Sequence, residues 1–105
     1  MINYDTQKEV YEIAVNHGWW QGEQNLAEKI ALMHSELSEA LEWLRHGNPR
    51  SDHIPDYSGV EEEFADVIIR ILDFSQHYKL RILSAVLAKI QFNKNREFKH
   101  GGKSF

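Results

Sequence analysis

The sequence has 105 residues, of which 42% are hydrophobic and 27% charged; this suits one globular domain spanning residues 1 to 105. A formal net charge of −4 argues against binding a nucleic acid polymer, whose backbone attracts Lys and Arg. The sequence lacks cysteine, a signal-peptide pattern and any apolar run near the roughly 20 residues that a membrane span needs. We therefore expect a cytoplasmic protein that does not enter a membrane.

Apolar residues spaced three or four apart predict four helices in chain order. The first runs from about residue 5 to residue 17, the second from 25 to 45, the third from 60 to 77 and the fourth from 80 to 96. Turn-forming glycines and prolines mark residues 46 to 59 as the one long loop. No segment alternates as a strand does, so the expected fold is an all-α, compact four-helix bundle. The third helix has a second apolar side, which suits either a central core helix or a subunit interface.

Two pairs of acidic residues lie on the second and third helices, Glu36 with Glu39 and Glu63 with Asp66. Residues three apart on a helix lie nearly above one another, so each pair can point both carboxylates at one spot. Both pairs border an apolar helix face, and we expect them to meet in a groove. Four carboxylates there would repel one another unless a hard divalent cation neutralised them, and an oxygen-only ligand set favours Mg²⁺ over zinc. The alternative is that the acids are simply solvated.

The C-terminal part of the sequence is basic. Lys89, Asn93 and Arg96 share a face of the fourth helix, and the glycine-containing segment after them carries Lys99 and Lys103. These residues could contact a phosphate, although a frayed C-terminus would have the same composition.

Arg70 and a pair of tryptophans lie nearer to the acids in the sequence than the C-terminal basic residues do. Arg70 is one turn beyond Asp66 and could either pair with an acid or reach a phosphate. Trp19 and Trp20 follow Gly18 at a helix junction, where they could close the end of the core or stack on a nucleobase.

The ordered set of acid motifs resembles the ExxE…ExxD signature of the MazG-like, all-α nucleoside triphosphate pyrophosphohydrolases. The likeness extends from about Trp20 to the C-terminus. The segments that carry it are His34-Ser35-Glu36-Leu37-Ser38-Glu39-Ala40, Glu62-Glu63-Phe64-Ala65-Asp66-Val67 and Lys94-Asn95-Arg96-Glu97-Phe98-Lys99-His100-Gly101-Gly102-Lys103.

The resemblance implies a helical bundle completed by self-association, as a homodimer or a dimer of dimers. It implies hydrolysis of an NTP, or more specifically a dNTP, to the monophosphate and pyrophosphate, with Mg²⁺ (or Mn²⁺ as a substitute) on Glu36, Glu39, Glu63 and Asp66. By the same resemblance, Trp20 would contact the base. Phosphate or sugar contacts would come from Lys89, Asn93, Arg96, Lys99 and Lys103.

Two other interpretations of the sequence stay open. The first is a non-catalytic helical interaction module, such as an antitoxin-like dimer with solvated acidic faces. The second is a catalytically idle nucleotide-binding relative, which would bind nucleotides with Mg²⁺ but release no pyrophosphate.

Overall fold

The structure is a computed structural model that describes residues 1 to 96. It contains four helices: α1 (Tyr4–Asn16), α2 (Leu26–Arg45), α3 (Gly59–His77) and α4 (Ile82–Lys94). Residues 1 to 96 form no strand, only an isolated bridge between Arg50 and Ser58. The prediction of an all-α fold is confirmed, and each helix begins and ends within two residues of its predicted position.

Side-chain caps explain where three of the helices begin. Asn3, Asn25 and Ser58 each accept a hydrogen bond from a backbone N–H of the first turn that follows, which satisfies a donor without an intrahelical partner. Gly18 and Gly47, with φ of 81° and 83°, follow the ends of α1 and α2 in the left-handed conformation that glycine adopts most easily. Local sequence signals therefore set the helix boundaries.

Helix α3 lies at the centre, with α1 and α2 packed against it. Helix α4 makes at most marginal contact with the other helices, and none of its residues is buried in the described part of the chain. The Tyr4 hydroxyl anchors its first turn, accepting a hydrogen bond from the Ser84 backbone N–H at 3.0 Å. Within residues 1 to 96 of one chain, then, three helices pack together and α4 stands apart.

The face of α2 that packs on α3 is not the face that carries most of its leucine and isoleucine residues. Glu36 and Ala40 are buried on the face that meets α3, and Trp43 lies half-buried beside them. The leucine and isoleucine stripe is left 43% to 57% exposed; it comprises Leu26, Ile30, Leu37, Leu41 and Leu44. This apolar stripe of α2 has no helix packed on it within the described chain.

The loop of residues 46 to 59 is tied down at both ends, which fixes where α3 begins. The Ser51 backbone N–H donates to the Tyr57 carbonyl at 2.8 Å, and the Val60 N–H donates to the Asn48 side chain at 3.0 Å.

No described helix is both long enough and apolar enough to cross a membrane.

Candidate metal centre

Glu63 is the centre of the acidic site. Its side chain is buried where α3 meets α2, and the residue is only 5% exposed. The Trp43 indole N–H donates to Glu63 Oε1 at 3.3 Å, whereas the buried Oε2 has no hydrogen-bond partner among the described residues. Burial, helped by the neighbouring Glu36 and Glu39 and opposed by the Trp43 hydrogen bond, raises the pKa of Glu63 to about 8. This carboxyl group therefore holds a proton at neutral pH unless a cation replaces it.

Glu36 faces Glu63 from α2 and is paired with Arg70 of α3. The Arg70 Nε and Nη2 atoms both donate to Glu36 Oε1, at 3.0 and 2.9 Å. Both side chains are largely buried, so the pair is screened little by water. Of the two roles considered for Arg70, the structure therefore shows the pairing with an acid.

The four acids predicted from the sequence come together around Glu63. Oxygen atoms of Glu36, Glu39 and Glu63 lie within 4.8 Å of one another, and the same distance groups Glu63 with Asp66 and Glu62. Desolvation raises the pKa of Asp66, the charges of Glu36 and Glu62 add to this effect, and Arg70 opposes it. A set of clustered carboxylates, one with an orphaned buried oxygen, has the chemistry of a site for a hard cation such as Mg²⁺ or Mn²⁺.

Glu62 is a member of the cluster that sequence reasoning missed. Its two oxygens bind the loop of residues 46 to 59: Oε1 accepts from the Ser51 hydroxyl, and Oε2 lies 2.7 Å from His53 Nδ1. These hydrogen bonds lower the pKa of Glu62. Glu62 therefore stays ionised and connects the loop to the acidic site, in contrast to its neighbour Glu63. Its position next to Glu63 in the sequence was the available signal.

Trp43 is the second residue that the sequence analysis did not select. Its position, seven residues after Glu36 and four after Glu39, places it on the same face of α2 and was the available signal. The indole also lies against Gly59, the first residue of α3, where an added Cβ would be 2.0 Å from a ring atom. Only glycine fits there, and the close approach holds the Trp43 N–H beside Glu63. A cavity of about 340 Å³ opens at this point and is lined by Glu39, Glu42, Trp43, His46 and Glu63.

Trp20, predicted to contact a base, is packed inside the helix cluster. Its N–H donates to the buried Asp73 at 2.8 Å. The His77 ring stacks on it at 3.8 Å between centroids, and Lys29 Nζ lies 3.9 Å from its ring centre. His77 and Lys29 therefore both contact the Trp20 ring, and the contact of Trp20 with a base stays a prediction.

The predicted phosphate contacts on α4 are not brought to the acids within one chain. Lys89 and Arg96 both approach the ring of Phe92, at 4.3 and 6.0 Å from its centroid, so they share a face as predicted. Asn93 lies on the same helix, and α4 makes at most marginal contact with α2 and α3. Lys99 and Lys103 lie outside the described residues. The roles of these five residues stay predictions.

Comparison of the chain with protein-family models, with curated proteins and with solved structures finds no match. These comparisons therefore assign the chain to no family.

Proposed function

We propose that this protein is a Mg²⁺-dependent, MazG-like nucleotide pyrophosphohydrolase that converts an NTP, with dNTPs favoured, to its monophosphate and pyrophosphate. The observation that carries the proposal is the buried Glu63 carboxyl group. Its Oε2 has no hydrogen-bond partner among the described residues, and the residue belongs to two groups of acids, one with Glu36 and Glu39 and one with Glu62 and Asp66. An isolated buried carboxylate is unfavourable. A cation ligated there supplies the contact that Oε2 lacks and relieves the repulsion between the carboxylates.

In this proposal Glu36, Glu39, Glu63 and Asp66 hold the cation. Bound Mg²⁺ would neutralise charge on the phosphates and activate water for attack on the α-phosphorus. Glu39 is the exposed member of the set and is therefore the acid best placed to accept a proton from the attacking water. Arg70 keeps Glu36 in place and contributes positive charge beside the acids.

The leaving pyrophosphate needs positive charge beyond Arg70. The basic residues predicted for this role lie on α4 and beyond it, and α4 stands apart from the acids within one chain. We propose that they act once the protein has self-associated, as a homodimer or a dimer of dimers. The exposed apolar stripe of α2 supports self-association, because an apolar surface of this kind is normally covered by another protein surface.

A rival function is the non-catalytic helical interaction module. The exposed apolar stripe of α2 would suit a partner protein, but this function requires the acids to be solvated. The burial of Glu36 and Glu63 weighs against that requirement.

The proposed enzyme would act on the cytoplasmic nucleotide pool as a house-cleaning activity, with no nucleic acid polymer as a substrate.

The test is a pyrophosphate-release screen of all common NTPs and dNTPs, with Mg²⁺ or with EDTA. We expect release from at least one nucleotide with Mg²⁺ and none with EDTA. Glu36→Gln and Asp66→Asn should abolish release while the helical circular dichroism stays normal, because the shapes are kept and the ligand charges are lost. The matched control is Glu9→Gln, which removes an exposed acid of α1 and should leave release unchanged. Wild-type rates in either site variant would refute the assignment.

Self-association is tested separately by light scattering after size exclusion. Leu41→Glu, in the α2 stripe, should lower the molar mass to that of one chain. Ala31→Glu, an exposed α2 position outside the stripe, should leave the mass unchanged. A wild-type protein that elutes as a single chain at all concentrations would refute this part of the proposal.

A further inference from the structure

The loop of residues 46 to 59 is hydrogen-bonded to the acidic site through a buried hydroxyl. Ser51 is only 2% exposed, and its hydroxyl accepts the backbone N–H groups of His53 and Ile54, each at 3.1 Å. The same hydroxyl donates to the carboxylate of Glu62, on α3. One donor and two acceptor positions are all that a serine hydroxyl has, so its capacity is fully used. The backbone at His53 is therefore fixed relative to α3.

The His53 side chain is held at one ring nitrogen and open at the other. Its Nδ1 lies 2.7 Å from Glu62 Oε2, and because an ionised carboxylate can only accept, Nδ1 carries the hydrogen. The imidazole is 83% exposed, and among residues 1 to 96 no group forms a hydrogen bond with its Nε2. A carboxylate that holds Nδ1–H is the usual way in which a protein orients an imidazole for a ligand at Nε2. His53 is thus an exposed side chain with a fixed direction.

One carboxylate separates the His53 imidazole from the proposed cation site. Glu62, which holds the ring, has an oxygen within 4.8 Å of oxygens of Glu63 and Asp66. The hydrogen bond and the charge of Glu62 raise the pKa of His53, and the charges of Asp52 and Asp66 add to this effect. The surroundings therefore favour the cationic imidazole, in which Nε2 also carries a hydrogen and can donate it.

We propose that His53 binds the pyrophosphate half of the substrate through Nε2, with Glu62 and Ser51 as its positioning residues. The inference rests on the proposed function, and it identifies a phosphate contact that one chain supplies without α4. Phosphate oxygens are charged acceptors, and the acids alone would repel them. A cationic imidazole at the border of the acids offers one charge-assisted hydrogen bond, whose direction is set before the substrate arrives.

The test observes the His53 ring by NMR and needs no turnover. The protein in Mg²⁺ is titrated with inorganic pyrophosphate and, separately, with nucleoside monophosphates; the His53 signals are assigned by their loss in His53→Asn. Pyrophosphate should shift these signals, whereas a monophosphate, which lacks the leaving half, should leave them nearly unchanged. His17 is the internal control, because it is also exposed and its Nδ1 is also held, 2.7 Å from the Ile13 carbonyl. Its signals should not move with either ligand.

Calorimetry of the variants measures what the contact contributes. His53→Asn should weaken pyrophosphate binding about fivefold or more and leave the best monophosphate unchanged, because one charge-assisted hydrogen bond is lost. His53→Lys keeps a positive charge and should retain more of the affinity than His53→Asn. Glu62→Gln should weaken pyrophosphate binding in the wild type but have no effect in the His53→Asn background, because Glu62 acts through His53. His17→Asn should bind as wild type.

The outcomes separate this inference from the proposed function. Pyrophosphate binding that depends on His53, without pyrophosphate release from any nucleotide, supports the contact and refutes the hydrolase. Release with the same KM and the same pyrophosphate affinity in wild type and His53→Asn supports the hydrolase and overturns the role of His53. Equal weakening of pyrophosphate and monophosphate in His53→Asn also overturns it, as does a wild type that binds no pyrophosphate. Equal effects of Glu62→Gln in both backgrounds overturn the positioning role of Glu62.

Discussion

Glu63→Gln tests the physical basis of the site without requiring a substrate. The pKa of Glu63 rises from an ordinary value of 4.5 to about 8 in the folded protein, with burial as the main cause. Between these two pH values the unfolded chain has lost this proton and the folded chain keeps it. The folded state therefore binds more protons, and the free energy of unfolding falls as the pH rises. The stabilisation is complete below pH 4.5 and is lost as the pH passes through about 8.

The expected size of this effect is large for a chain of 105 residues. One pH unit across this interval corresponds to 1.36 kcal/mol, so the change attributable to Glu63 is roughly 3 to 5 kcal/mol. A change of this size shifts the melting temperature by roughly 10 °C or more. Because burial also raises the pKa of Asp66, that residue contributes to the pH dependence in the same direction.

The assay is thermal unfolding from pH 5 to pH 9 at one protein concentration, in EDTA and in Mg²⁺. In EDTA the wild type should lose stability toward pH 9, whereas Glu63→Gln, which is neutral throughout, should lose much less and melt above the wild type at pH 9. Mg²⁺ should raise the melting temperature of the wild type at pH 8 and leave that of Glu63→Gln unchanged, because a ligand of the folded state stabilises it. Glu9→Gln should follow the wild type. Identical pH profiles for wild type and Glu63→Gln in EDTA would refute the reasoning.

Two further variants probe how the loop and α3 are held. Gly59→Ala should destabilise the protein by about 1 to 3 kcal/mol in urea unfolding, because the new Cβ overlaps the Trp43 ring, and an unchanged midpoint would contradict this packing. Ser51→Ala should destabilise by a similar amount, about 1 to 3 kcal/mol, and should raise the pKa of Glu62 toward its ordinary value, because it removes a buried hydroxyl that donates to that carboxylate. The second effect is measured by NMR titration of the Glu62 carboxyl, and an unchanged pKa would exclude the hydrogen bond.

Local signals were sufficient to predict the helices and to place each acid at the border of its helix's apolar face. Apolar spacing and turn-forming residues located the ends of the helices, and the caps that the structure shows at Asn25 and Ser58 act within one turn in the same way. The spacing of Glu36 and Glu63 against apolar neighbours placed both at a helix border, and both are buried there. The bounds of the helices and the burial of these two acids therefore matched what the sequence predicted.

The partners of these residues could not be predicted, because they depend on how the helices rotate against one another. The apolar stripe of α2 suggested one contact face, but α3 packs on the neighbouring face that carries Ala40. The burial of Glu36 is compensated by Arg70, 34 positions away in the chain, and no local rule connects the two. The contacts of Trp20 likewise depend on α3, because Asp73 and His77 of that helix bind and stack on its indole.

The position of the Arg70 guanidinium has a thermodynamic consequence, because this group contacts two separate parts of the molecule. It pairs with Glu36 on one side and, with Trp19, lines a cavity of about 380 Å³ on the other. A ligand in this cavity that drew the guanidinium away from Glu36 would leave Glu36 more negative. A more negative Glu36 attracts a dication more strongly. Binding free energies are reciprocal, so a dication at the proposed site would favour that ligand by the same factor. At the proposed site, one shared side chain would therefore suffice to make the two ligands bind cooperatively, with no movement of any helix.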